Sequence, residues 1–288
     1  MITPQQEVPR LAKRLGLDKL YFKREDLHPY KSHKGRSIPL MIETHAMGGH
    51  TQFAISSSGN AALAAIMYIN DYNLKYPERT LFLQIFVGEN ISGEKLQMLK
   101  QLITDKSKIV INQIGKPKQA VHTLEKRGEA KSLRQSQDPL ALAGYKTLAD
   151  EFEKIVNLGA VFVPTSSGTT AEALAGRFQI HIVQPASCHA IAEVFDSERR
   201  TFDEIVMADA IVDRVALRKE ALVEKIKKGG GSGWIVSNLE IVQAIKLARE
   251  SADITLSPNA ALALAGLHRA LSRGWKPKGT VTCLITGK

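Results

Sequence analysis

The chain has 288 residues, with 39 Lys and Arg against 29 Asp and Glu for a formal net charge of +10, and 44% of its residues are hydrophobic. A chain of this length buries roughly 75% of the surface its unfolded form exposes, so it holds one large domain or two, and general disorder is excluded. No apolar run approaches the roughly 18 residues that span a bilayer, the richest being 61–69 and 260–267, so no membrane partner is expected. The first ten residues lack the charged start and apolar stretch of a secretory signal, and a cytoplasmic protein is expected. Cys188 and Cys283 have no Cys-x-x-Cys neighbour, which rules out a disulfide framework or a zinc ribbon and reads as two buried thiols. The pair Cys188-His189 is too sparse for a metal site. The positive balance points to an anionic partner such as a phosphorylated cofactor or an acidic substrate. The basic residues are nevertheless spread along the chain. Lys225, Lys227 and Lys228 stand beside Glu224, and Arg199 and Arg200 beside Glu198, as on a solvated helix surface, so no nucleic-acid partner is expected.

In chain order, short apolar runs rich in β-branched residues predict strands over 20–23, 53–56, 81–87, 108–114, 160–164, 181–185 and 280–286. Helical spacing fills most of the gaps: 61–69, then Tyr145, Leu148, Phe152 and Ile155, then 171–176, then Ile241, Ile245 and Ala248 behind a capping box at Ser237 and Glu240. Three consecutive glycines within 227–233 follow a helix-like stretch over 219–226 and predict a helix stop and a loop. Strand alternating with helix predicts an α/β fold, with buried, mostly parallel sheet and helices on both faces. Such sheets carry their ligand sites at the carboxyl ends of the strands, and four of those ends hold candidate chemistry.

The first strand gives way through Pro29 to Ser32-His33-Lys34, where Ser32 is the expected helix cap and Lys34 falls in the first turn. The positive end of the helix dipole favours a free, nucleophilic amine there, so Lys34 is a candidate to form a Schiff base with a carbonyl-bearing cofactor. The alternative is one more basic residue on a helix surface. Next, Ser57, Ser58, Gly59 and Asn60 close a strand and open an apolar helix at Ala61. Small residues in that place expose backbone N–H groups to a carboxylate or phosphate, although Ser and Asn are also the preferred plain caps. Ser166, Ser167, Gly168, Thr169 and Thr170 follow the strand over 160–164 and are suited to wrapping a phosphate with N–H groups and hydroxyls. Against this, Thr169 and Glu172 match a capping box, and a first-turn glutamate repels an anion unless it turns away. Neither GxxxxGK[ST] nor GxGxxG occurs, so nucleotide binding by those loops is not indicated. Last, the terminal strand carries Thr286 and Gly287 to the same kind of edge, where a simple edge strand is the alternative.

Taken in order, these segments resemble the fold-type II pyridoxal-phosphate (PLP) enzymes, the group of tryptophan synthase β subunits, threonine synthases, cysteine synthases and threonine ammonia-lyases. The likeness runs almost end to end. Lys23-Arg24-Glu25-Asp26-Leu27 with Ser32-His33-Lys34 is similar to the family's strand and cofactor lysine. The resemblance implies that Lys34 carries PLP and then works as general acid and base. It also implies that Ser57, Ser58, Gly59, Asn60 and Ala61 form the substrate-carboxylate loop, with Asn60 meeting the cofactor ring as well. Ser166, Ser167, Gly168, Thr169 and Thr170 would hold the phosphate, and Thr286 would meet the pyridine nitrogen. The fold implied has two domains with the cofactor in a cleft between them: 1–45 with 145–288 as the larger, phosphate-holding domain, and 46–144 as the smaller, substrate-side domain. A small amino-acid substrate and a homodimer are implied too. A neutral hydroxyl at the pyridine nitrogen makes a weaker electron sink than a carboxylate would, which suits elimination and replacement at the β carbon.

Within the family, Leu284-Ile285-Thr286-Gly287 and the stretch 256–265 are most similar to threonine synthase, which implies a lyase that takes O-phosphohomoserine and water to threonine and phosphate. A serine or threonine ammonia-lyase, another β-replacement enzyme and a non-catalytic PLP-binding protein are the alternatives. Four departures bear on them. The phosphate turn has a single glycine, Ala61 lacks the polar side chain common in relatives, Lys31 stands where glycine is frequent, and Gly35-Arg36 stands where Asp-Arg is frequent.

Overall fold

The structure is a computed structural model that describes residues 2–197 and 206–287, so the acidic and basic residues read at 198–200 lie outside the described residues. In chain order the elements are β1 (Gln5–Glu7), α1 (Pro9–Arg14), β2 (Leu20–Arg24), α2 (Ile38–Met47), β3 (Gln52–Ser56), α3 (Asn60–Lys75), β4 (Phe82–Val87), α4 (Gly93–Leu102), β5 (Ile109–Gln113), α5 (Pro117–Lys126), β6 (Lys131–Ser132) and α6 (Leu140–Gly144). There follow α7 (Lys146–Phe152), β7 (Leu158–Pro164), α8 (Thr169–Ala175), β8 (Ile180–Pro185), α9 (Lys219–Lys228), β9 (Ser232–Val236), α10 (Asn238–Ala252), α11 (Pro258–Ser272) and β10 (Thr280–Ile285). Short 3-10 turns at Glu25–Leu27 and His33–Arg36 join β2 to α2.

The chain divides into two compact units, Met1–His28 with Tyr145–Lys288, and Pro29–Gly144. In the first unit six strands form one sheet in the order β1-β2-β10-β7-β8-β9. All its pairings are parallel except β1 with β2. Alternate residues of β7 serve opposite faces: Ala160 and Phe162 join the core under α1, α10 and α11, while Val161 and Val163 join the core under α7, α8 and α9. That period-two division explains why the strand reads as a continuous apolar run, since both of its faces are covered. The second unit has a wholly parallel sheet in the order β5-β4-β3-β6. Phe53, Ile55, Leu83 and Ile85 face α2, α3 and α4, and Ala54 and Phe86 face α5.

An α/β architecture of two mostly parallel sheets with helices around them is thus present. The segment 29–45, placed by sequence with the larger domain, groups with the second unit, because Ile38, Met41 and Ile42 of α2 pack into the core of that sheet. The stretch 227–233 is only half a loop: Ser232 and Gly233 already belong to β9, which pairs with β8. No helix among the described residues is long and apolar enough to cross a membrane. Both cysteines are buried thiols outside any disulfide, and burial pushes the Cys283 thiol well above its usual pKa.

Candidate active site

Lys34 lies in the turn His33–Arg36, a single four-residue 3-10 turn rather than the start of a long helix. Ser32 caps it as the sequence expects, its Oγ accepting from Lys34 N at 3.3 Å. The regular helix begins only at Ile38, with a proline in its first turn. So short a turn carries little of the dipole that a full helix would aim at the amine. The amine is held by a side chain instead: Lys34 Nζ donates to Gln135 Oε1 at 2.7 Å, and Gln135 Nε2 donates to Ser37 Oγ at the end of the same turn. The backbone behind is tightly closed, because a Cβ added to Gly144 of α6 would stand 2.4 Å from Ser37 Cα. Lys31, the residue standing where glycine is frequent, has φ of +63°. That left-handed conformation is the one in which a glycine costs nothing, which accounts for glycine being common at this place.

Ser57, Ser58, Gly59, Asn60 and Ala61 leave the carboxyl end of β3, each half-buried. The plain-cap alternative does not hold here. The capping position belongs to Gly59, no side chain caps the helix, and Asn60 is the first residue of α3. Ser57 Oγ instead accepts from Gly59 N at 3.3 Å and shapes the turn. The Lys34 turn packs against α3, and the lysine and the loop opening that helix belong to one unit.

In the first unit, Ser166, Ser167, Gly168, Thr169 and Thr170 leave the carboxyl end of β7. Thr286 leaves that of β10, the neighbouring parallel strand, so both stand at the same edge of the sheet. Thr169, Thr170 and Thr286 are buried, and Ser167 Oγ lies 3.0 Å from Thr169 Oγ1. The expected capping box at Thr169 and Glu172 does not form: Gly168 caps α8, and Glu172 turns aside to meet Arg218 Nη1 and Lys225 Nζ, each at 3.1 Å. The carboxylate that would repel an anion therefore faces two cations. Ser166 Oγ is engaged elsewhere, donating to Asp213 Oδ2 at 2.9 Å and accepting from Val212 N at 3.2 Å.

The charges of 23–26 serve the fold. Lys23, fully buried, pairs with Glu151 of α7 and donates to Thr3 O at 2.8 Å. Arg24 makes a two-pronged contact with Asp26 at 2.9 and 2.8 Å, and Thr3 Oγ1 donates to Glu25. Gln135 and Arg218 are the neighbours that sequence reasoning missed. Gln135 follows β6, a strand of two residues that leaves no periodic signal.

The donor set fits PLP: a primary amine for its aldehyde, hydroxyls and N–H groups at a glycine turn for its phosphate, and a neutral hydroxyl at a strand end for its ring nitrogen. Comparison with known proteins points the same way. The chain is 25% identical over 323 residues to threonine synthase from Methanocaldococcus jannaschii, an alignment spanning 99% of this chain and 74% of that protein. It is 23% identical over 301 residues to the biosynthetic L-threonine dehydratase of Haemophilus influenzae, covering 99% of this chain but only 56% of the relative's length. The solved structure of threonine deaminase isoform 2 from Solanum lycopersicum shares the fold at a TM-score of 0.78 and 21% identity, over 99% of this chain and 78% of that one. The family described as pyridoxal-phosphate dependent enzyme matches residues 2–287, and the chain belongs to it, with pyridoxal phosphate as its cofactor.

Proposed function

We propose that the protein is a PLP-dependent lyase of threonine-synthase type, acting on O-phosphohomoserine and water to give threonine and phosphate, as a cytoplasmic homodimer. The observation that carries the reading is Lys34, half-buried in a capped turn with Nζ held 2.7 Å from Gln135 Oε1. Bound PLP supplies an electron sink for charge developing at the substrate's α carbon. Lys34 is the attachment lysine and afterwards moves the proton at that carbon, while Gln135 keeps the amine aimed between the two tasks. Ser57, Ser58, Gly59, Asn60 and Ala61 receive the substrate carboxylate, with Asn60 turned to the ring. Ser166, Ser167, Gly168, Thr169 and Thr170 hold the phosphate, and Thr286 offers the ring nitrogen a hydrogen bond without a charge. In this scheme the first unit is the phosphate-holding domain and the second the substrate-side domain.

The test is chemical. Protein incubated with PLP and reduced with borohydride should carry the label on Lys34, Lys34→Ala should carry none, and phosphate should be released from O-phosphohomoserine. Label on another residue ends the assignment. The likeness to L-threonine dehydratase supports a second reading, a serine or threonine ammonia-lyase. Ammonia and a 2-keto acid formed from threonine, with no product from O-phosphohomoserine, would favour it. Labelled Lys34 without turnover of any amino acid in a panel would favour a PLP carrier, and sedimentation reads the homodimer directly.

A further inference from the structure

The turn assigned to the cofactor's phosphate is poor in the usual donors. It has one glycine, and one of its hydroxyls, Ser166 Oγ, is already engaged by Asp213 and by the N–H of Val212. A buried carboxylate, Glu172, also sits in the first turn of the helix that the turn opens. By itself that charge opposes a dianion. Its surroundings offset it, because the carboxylate meets two cations: Arg218 Nη1 and Lys225 Nζ, each at 3.1 Å.

The two cations are not equivalent. The Lys225 side chain is 42% exposed, and solvent and salt screen its charge. The Arg218 side chain is 13% exposed, so its field reaches the turn through less water. Arg218 also packs directly on the turn, since a Cβ built on Gly168 would stand 3.7 Å from Arg218 Cβ.

We propose that Arg218 is the charge-bearing positioning residue of the phosphate subsite: it neutralises Glu172, so that the carboxylate in the first turn of α8 no longer opposes a phosphate and the protein selects the phosphorylated over the unphosphorylated cofactor. This inference rests on the PLP reading above and concerns only the first unit.

The experiment compares pyridoxal phosphate with pyridoxal, which has the same aldehyde and ring but no phosphate. Dissociation constants for both are read by equilibrium dialysis on the wild type, Arg218→Gln and Arg218→Lys, with borohydride labelling of Lys34 as a second readout. Arg218→Gln, which can still hydrogen-bond Glu172, should weaken pyridoxal phosphate by about ten- to a hundredfold, because it leaves the Glu172 carboxylate uncompensated near a dianion. Pyridoxal should bind it as it binds the wild type, which also shows that the variant is folded. Arg218→Lys should recover most of the lost preference, because it restores the charge. Lys225→Met should change the preference by less than about threefold, as expected of a screened surface charge. Equal weakening of both ligands in Arg218→Gln, or no weakening of either, overturns the inference while leaving the labelling of wild-type Lys34 intact. Absence of label on wild-type Lys34 overturns the PLP reading itself, and this inference with it.

Discussion

Gly168 takes φ of +89°, and a Cβ at that position would come within 3.0 Å of Leu222 Cδ2. An L side chain in that conformation costs about 1–2 kcal/mol, and the contact adds to it. Gly168→Ala is expected to lower stability by at least about 1 kcal/mol in urea unfolding, and an unchanged midpoint would refute the strain. Lys34, the glycine turn and the serine-rich loop were legible in the sequence because capping and turn chemistry act over three or four residues. Their partners were not. Gln135 is 101 residues from Lys34, and Arg218 and Lys225 are 46 and 53 residues from Glu172. Nothing in a local window links such pairs, which is why the first-turn glutamate reads as an obstacle until its two cations are seen.

Strands announced themselves through apolar runs rich in β-branched residues, and β2, β3, β4, β5, β7, β8 and β10 all lie within two residues of where those runs place them. β1 and β6, of three and two residues, are too short for any period to show, and β9 hides behind its glycines. The capping box ahead of α10 forms as written, with Ser237 Oγ accepting from Glu240 N and the glutamate accepting from Ser237 N. The charged run at 23–26, similar to the family's strand, ties β2 to the amino-terminal residues and to α7. Removing one partner of a buried ion pair is far more harmful than removing the pair. Glu151→Ala should therefore cost about 3–5 kcal/mol by leaving the Lys23 ammonium buried without its carboxylate. Lys23→Met combined with Glu151→Leu should recover much of that in urea unfolding. A loss below about 1 kcal/mol for Glu151→Ala, the size expected of an exposed pair, would show the contact to be unimportant.

Each of the two units has its own sheet and its own buried apolar clusters, and one of them carries an acid-sensitive element. His181 of β8 is buried between Phe162, stacked at 4.7 Å, and Trp275 at 4.8 Å, and its Nδ1 accepts from Trp234 Nε1 at 3.1 Å. Burial pushes its pKa down to about 4. The unfolded chain takes up the proton near pH 6.5, so the stability due to neutral His181 is complete above that value and is lost as pH falls toward 4. At pH 5 the loss is about 2 kcal/mol, and His181→Gln should not show it. Both tryptophans lie in the same unit as His181, so fluorescence-detected unfolding at pH 7 and pH 5 reads the effect directly. Equal pH dependence in wild type and variant would sink the prediction.

The alternation of strand and helix, the residue types at four strand ends and the likeness to a cofactor family were all contained in the order of amino acids. Periodicity and turn chemistry are properties of neighbouring residues. The sheet order β1-β2-β10-β7-β8-β9, the grip of Gln135 on Lys34 and the cations facing Glu172 came only with the tertiary structure. Hydrogen bonds and charges act through separation in space, and folding sets that separation independently of separation along the chain.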